Sequence, residues 1–293
     1  MRAIITGGKG QLGRAVEKAM AKHEIIAPGH ETLDVTDGAA AQRLISELRP
    51  DLVVHCAAWT DTAACEREPQ RAMVVNGEAP GIVAAACHEA GAAMLYVSSN
   101  EVFDGEKGSP YDEDDATGAI NEYGRSKLEG EHRVRDALAE HYIVRTSWLY
   151  GPGRISFPEK IVQAARKDGK LRAVTDEIAS PTWTVDLAAA IAPLIDTQAW
   201  GTYHLTNSGD CSRLEWARAI LDLSGLQVPV EPATLAEFGA PYRKPAFSAL
   251  ANNNGARLAI ALRPWRDALS DHLRWGEAQQ AAAGPPSQSG NRK

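Results

Sequence analysis

A chain of 293 residues, 44% hydrophobic and 24% charged, has the composition of a globular protein, with enough core to fold without staples. Its net charge of −7 carries no basic stripe, which argues against nucleic-acid binding. No apolar run approaches the ~20 residues of a membrane helix, so no membrane contact is expected. Four cysteines (Cys56, Cys65, Cys87, Cys211) lack Cys-x-x-Cys and zinc-type spacing and are expected as reduced thiols in the cytoplasm. A strand starts almost at Met1, which leaves no room for a signal peptide.

The first half alternates short apolar runs with helical periodicity. Ala3-Ile4-Ile5-Thr6 is expected as a strand, followed by a helix with Leu12, Val16 and Met20 at i, i+4, i+8. Ile25-Ile26-Ala27 gives a second strand. Thr36 or Asp37 caps a helix that buries Leu44, Ile45 and Leu48 and ends at Arg49-Pro50. Leu52 to Cys56 is a third strand and Met94 to Val97 a fourth, with a helix around Ile82-Val83 between them. A helix over 121–139 and a strand at Tyr142-Ile143-Val144 complete the pattern. This alternation predicts an α/β fold, a doubly wound (Rossmann) parallel sheet with helices on both faces.

The second half is less regular. Helices are expected over 156–168, 184–195 and 212–223, strands at 171–175 and 202–206, and a kink or early stop at Pro193. The proline-rich segment 226–250 reads as irregular, and 284–293 as a disordered tail. The expected division is 1–150 plus about 171–195 for a dinucleotide domain, and about 151–170 plus 196–275 for a smaller discontinuous α/β substrate domain.

Three features carry chemistry. Gly7-Gly8-Lys9-Gly10-Gln11-Leu12-Gly13 joins the first strand to the first helix. Gly7 allows the tight turn, Gly10 lets backbone approach a pyrophosphate, and Gly13 lets helix pack on strand, with the helix N-terminus facing the phosphates. At the end of the second strand, His30 suits a 2′-phosphate and Glu31 a ribose hydroxyl. Both dinucleotides therefore stay open, NADPH ahead of NADH. Asp34 fits either the adenine edge or a helix cap. Tyr123-x-x-x-Lys127 stands one helical turn apart on one face, and an ammonium beside a phenol favours the phenolate, as proton transfer to a ketone oxygen requires. Ser99 closes the fourth strand at the sheet's carboxyl edge, where a hydroxyl would polarise a carbonyl.

Other candidates read as structural. The eight histidines show no ligand spacing, so no metal site is expected, and His55 reads as a core residue. The run Asp112-Glu113-Asp114-Asp115 reads as a solvated loop. Trp148, Trp183 and Trp200 read as packing, with Trp148 nearest the pocket.

Taken together, these residues resemble the extended short-chain dehydrogenases/reductases, and within them the dTDP-4-dehydrorhamnose reductase family. The likeness spans about residues 1–275. It rests on the glycine loop, Leu33-Asp34-Val35-Thr36-Asp37, Cys56-Ala57-Ala58-Trp59-Thr60, Val75-Asn76 and Val102-Phe103-Asp104-Gly105. It continues through Asn121 to Leu128, Arg145-Thr146-Ser147-Trp148, Ser180-Pro181-Thr182 and Gly201-Thr202-Tyr203-His204-Leu205. The resemblance implies NAD(P)H-dependent reduction of a C4 ketone on a nucleotide-linked 6-deoxysugar, with Ser99, Tyr123 and Lys127 catalytic. It implies that Gly7, Gly10, Gln11, Leu12, Asp34, Val35, Ala57, Ala58 and Thr60 touch the dinucleotide, and that Trp148 faces the substrate. A homodimer is the expected assembly.

The chain departs from the family where the sugar is expected. The family's Ser-Thr-Asp-Tyr-Val-Phe is here Ser98-Ser99-Asn100-Glu101-Val102-Phe103, so Asn100 and Glu101 change the charge and shape of the sugar-lining positions. Val-Asp becomes Thr62-Ala63, and Ser-x-Leu-Asp becomes Ser248-Ala249-Leu250-Ala251. A retuned sugar site, with Ser248 among its lining residues, is the expectation. The alternative reading is a non-catalytic NADP-binding partner resembling the regulatory subunit of methionine adenosyltransferase. A third is a cofactor-independent sugar-binding module.

Overall fold

A computed structural model describes residues 1–283, and the expected tail 284–293 lies outside the described residues. The first half runs β1 (Arg2–Thr6), α1 (Gln11–Ala19), β2 (Glu24–Ile26), α2 (Gly38–Leu48), β3 (Leu52–His55), α3 (Thr62–Arg67), α4 (Pro69–Ala72) and α5 (Ala79–Ala90). A π-helical turn, Met73–Glu78, links the last two helices. Then come β4 (Ala93–Ser99), a 3₁₀ turn at Asn100–Val102, α6 (Glu122–Ala137) and β5 (His141–Thr146). The local grammar is legible in the caps. Asp37 accepts from the Ala40 N–H at the head of α2, Asn121 accepts from the Gly124 N–H at the head of α6, and Gly91 ends α5 in the left-handed region.

The second half contributes β6 (Leu149–Tyr150), α7 (Phe157–Asp168), β7 (Leu171–Val174), β8 (Ile178–Ala179), β9 (Thr182–Trp183), α8 (Thr184–Leu194) and β10 (Gly201–His204). It closes with β11 (Cys211–Ser212), α9 (Arg213–Leu223), β12 (Val230–Ala233), α10 (Leu235–Phe238), α11 (Asn253–Arg257) and α12 (Trp265–Ala283). The expected early stop holds: α8 ends one residue after Pro193.

Six parallel strands form the main sheet in the order β10-β5-β4-β3-β1-β2. The chain steps from β1 to β2 on one side and then to β3 on the other, so the topological switch point lies at the carboxyl ends of β1 and β3. One core, with Ile5, Val16, Leu95, Val144, Leu187 and Ile191, fills the face under α1 and α8. A second, with Ile4, Ile45, Val53, Val83, Met94 and Val134, fills the face under α2, α5 and α6. The third core joins Tyr150, Ile161, Trp183, Leu214, Trp216, Ile220 and Leu269 in the smaller part. Among the described residues, no helix is long and apolar enough to cross a membrane.

Two strands fall on the other side of the expected division. β7 pairs with β12 beside the third core, because Leu171 and Ala173 find their apolar partners there and not on the main sheet. β10 closes the open edge of β5 in the main sheet, with Tyr203 and Leu205 in its core. The segment 226–250 is also more ordered than expected, since it holds β12 and α10. The acidic run is not wholly solvated: Glu113 is 7% exposed and accepts from the backbone N–H groups of His204 and Asn254.

Candidate active site

The glycine loop lies at the switch point. Gly7 has φ 65°, and a Cβ there would stand 2.8 Å from the Ala57 nitrogen, so the turn after β1 packs directly on the chain leaving β3. Gly10 caps α1 without a side chain, which leaves the first-turn N–H groups open to an anion. Gln11 Nε2 donates to the Gly151 carbonyl and the Arg154 guanidinium reaches Thr60, so the loop after β6 lies close to the glycine loop. Leu12 and Val35 are buried, Ala57 and Ala58 half-buried and Thr60 exposed.

At the end of β2, His30 is exposed and Glu31 pairs with Lys9 of the glycine loop. That hydrogen bond holds the Glu31 carboxyl below its ordinary range. Asp34 does not cap α2; Asp37 does. Asp34 Oδ1 instead accepts from the Thr36 N–H at 2.9 Å and the Thr36 hydroxyl at 2.7 Å, a local turn.

Ser99 ends β4 and Tyr123 opens α6. Gly124 is what allows their approach: a Cβ on it would stand 2.1 Å from the Glu101 carbonyl, so only glycine lets α6 rest on the 3₁₀ turn. The Ser99 oxygen accepts from the Glu101 N–H at 3.2 Å and is near enough to the Tyr123 phenol to pull its pKa down. Burial and the Glu101 charge outweigh that pull and raise the Tyr123 pKa well above the phenol's usual value. Lys127 is 1% exposed; its Nζ donates to the Val97 carbonyl at 2.7 Å and lies 4.1 Å from the centre of the Tyr96 ring. Burial lowers its pKa to about 7, against the opposite pull of Glu131 and Cys56.

The expected phenolate-favouring contact is therefore not the resting arrangement. Lys127 spends its hydrogen bond on backbone, and Tyr123 is held as a protonated phenol. That is the form a proton donor needs at the start of a ketone reduction. His55 behaves as a core residue, hydrogen-bonded to Thr6 Oγ1 at 3.0 Å, with burial lowering its pKa to about 3.

Of the expected sugar-lining residues, Asn100 and Ser248 are both buried and bonded to one another, Nδ2 to Oγ at 2.7 Å. They clasp the end of β4 to the second half of the chain. Glu101 is half-buried, and its Oε2 accepts from Asn121 Nδ2 at 2.7 Å. Trp148 adopts φ 42°, in the left-handed region. Its ring stacks on Trp216 at 5.4 Å and carries the Arg213 guanidinium 3.4 Å from its centre.

Sequence reasoning missed Glu177, Arg213, Tyr242 and Lys244. Glu177 is 7% exposed and binds Arg213 at 2.9 Å and Lys244 at 3.1 Å, so it gathers both cations beside Trp148. A cleft of about 360 Å³ opens between Asp104–Glu106 and the segment carrying Tyr242 and Lys244. No motif marks these residues.

A glycine loop at a switch point, with Ser99, Tyr123 and Lys127 along the same sheet edge, is the arrangement of a reductase of the short-chain class. The model of the RmlD substrate binding domain matches residues 1–276. A dTDP-4-dehydrorhamnose reductase of Streptomyces griseus is 37% identical over 97% of both chains. Spore coat polysaccharide biosynthesis protein SpsK of Bacillus subtilis is 35% identical, over 93% of this chain and 96% of its own length. Among solved structures, the dTDP-4-dehydrorhamnose reductase of Bacillus anthracis in complex with NADP superposes with a TM-score of 0.90. Its identity is 34%, and the match covers 94% of this chain and 99% of that one. The chain belongs to the dTDP-4-dehydrorhamnose reductase family.

Proposed function

We propose that this protein is an NADPH-dependent reductase of the C4 ketone of a dTDP-linked 4-keto-6-deoxysugar, with NADH as a second, weaker donor. The observation that carries the reading is the meeting of the glycine loop, Ser99, Tyr123 and Lys127 at the carboxyl edge of β1, β3 and β4. The cradle suits a dinucleotide: a Cβ on Gly7 would strike Ala57, and the head of α1 offers uncapped N–H groups to a pyrophosphate. When bound, NADPH supplies the hydride.

The remaining chemistry belongs to side chains. Ser99 donates to the substrate carbonyl oxygen and polarises it. Tyr123, held protonated by burial and by Glu101, gives its proton to the alkoxide as that charge develops. Lys127, with its pKa lowered to about 7 and one N–H on the Val97 carbonyl, would hold the nicotinamide ribose with another and, when protonated, stabilise the phenolate left behind. Arg213 and Lys244 share the single carboxylate of Glu177 and so leave one positive charge for a diphosphate on the side away from Glu101, with Trp148 beside Arg213 near the base or sugar. We further propose that the protein works in the cytoplasm as a homodimer; sedimentation of the purified protein tests the assembly.

The deciding experiment follows NADPH oxidation with dTDP-4-keto-6-deoxysugars on wild type and Tyr123→Phe. The expected result is wild-type turnover and a loss of about 10²–10⁴ in kcat in the variant, with NADPH affinity kept. NADPH binding without reduction of any sugar by the wild type would favour the regulatory-partner reading instead.

A further inference from the structure

Glu101 is the acid in this site whose surroundings do not account for it. Its N–H bonds the Ser99 oxygen, and its Oε2 accepts from Asn121, a side chain 1% exposed that also caps α6 two residues before Tyr123. The backbone of Glu101 is thus tied to Ser99 and one carboxyl oxygen to Asn121, which places the carboxyl group near Tyr123. Its other oxygen, Oε1, has no hydrogen-bond partner among the described residues.

The groups facing it come from every neighbouring element: Cys65 of α3, Tyr123 of α6, Glu177 after β7, Arg213 at the head of α9, and Tyr242 and Lys244 beyond α10. The two cations among them are already engaged by Glu177. Burial and the Glu177 charge raise the Glu101 pKa against the pulls of Asn121, Lys244 and Arg213. The free oxygen is not sealed inside the protein, so it is open to a ligand that enters the site. The ligand group must be a donor, because a phosphate there would be repelled. It must also lie close to the reacting carbonyl, because the Glu101 charge is near enough to the Tyr123 phenol to raise its pKa.

We propose that Glu101 reads the sugar: its free oxygen accepts a hydrogen bond from a hydroxyl on the ring carbon beside the ketone. The enzyme thereby selects keto sugars hydroxylated there over their deoxygenated counterparts. This inference rests on the proposed reduction of a dTDP-linked keto sugar.

The test compares kcat/KM, with NADPH, for a dTDP-linked 4-keto-6-deoxyhexose and its 3-deoxy counterpart in wild type, Glu101→Gln and Glu101→Ala. The wild type is expected to favour the hydroxylated sugar by about 100-fold or more, as sites built to bond a hydroxyl do. Glu101→Ala should shrink that preference below about 10-fold, with the hydroxylated sugar losing more rate than the deoxy sugar; an effect passed through Tyr123 falls on both sugars alike and leaves their ratio unmoved. Glu101→Gln keeps the shape and an acceptor oxygen, and should fall between. Equal use of both sugars by the wild type, or an unchanged preference in both variants, overturns the role of Glu101 and leaves the reductase reading intact. If neither sugar is reduced by any variant and calorimetry with NADP detects no binding of either reduced product, the reductase reading fails and this inference falls with it.

Discussion

At the scale of single residues, the site is governed by burial. Tyr123 is half-buried and Lys127 fully buried, and each is pushed toward its neutral form: the phenol upward, the ammonium down to about 7. For Lys127 this is also a statement about stability. A lysine whose pKa is lower in the folded chain than in the unfolded one costs most below pH 7, where both states are protonated. The cost shrinks as pH rises from 7 and is gone above about 10.5. Lys127→Met should therefore abolish turnover and yet raise the Tm of the cofactor-free protein by several degrees at pH 6–7, an advantage that fades by pH 10. Thermal scans across that range check it; a lower Tm at pH 6 would mean that the bond to Val97 outweighs the desolvation.

At the scale of elements, precision comes from close backbone approach. The first turn of α6 rests on the 3₁₀ turn after β4 only because residue 124 lacks a side chain. Gly124→Ala should force the helix away from the Glu101 carbonyl, at a cost of about 1–3 kcal/mol, and draw Tyr123 off Ser99. The expected outcome is a kcat lower by about 10² with NADPH affinity within a few-fold of wild type, since the cradle lies on other elements. Steady-state kinetics beside cofactor titration separate the two effects.

The same scale shows what a sequence can disclose. The glycine loop, the Tyr-x-x-x-Lys pair and the cap of α2 are local patterns, complete within a few residues, and their chemistry is legible before any fold is known. Arg213 and Lys244 lie 36 and 67 positions beyond Glu177 and meet it only because β7 pairs with β12 and α9 packs against both. No spacing rule marks such a meeting. The placement of β10 was hidden for the same reason. A four-residue strand carries no sign of which open edge it will join, and it goes to β5, where Tyr203 and the following Leu205 reach the large core.

At the scale of the whole molecule, one buried charge network joins the sheet to its surroundings. Glu131 of α6, wholly buried, accepts from Arg145 of β5 through both oxygens, at 2.9 and 2.7 Å, from Ser98 at 2.6 Å and from Arg135 at 3.0 Å. Arg145 in turn reaches the Glu113 carbonyl and His204 of β10. The set therefore spans β4, β5, β10, α6 and the acidic loop, one residue away from Ser99. Burial pushes the Glu131 carboxyl up, but the Arg145 bonds and charge, with Ser98 and Arg135, bring it below its usual value. Its ionised form thus contributes stability that is complete above about pH 4.5 and is lost as pH falls through the lower folded-state pKa. Glu131→Gln keeps the shape but leaves the Arg145 charge uncompensated, so it should cost about 3–5 kcal/mol at pH 7, a fall in Tm on the order of 10 °C. The gap between the two proteins should narrow as pH drops toward 3, because protonation removes from the wild type what the substitution has already taken from the variant. A gap that stays constant from pH 7 to pH 3 would assign the loss to packing, and the network would then be a consequence of the fold and not one of its supports.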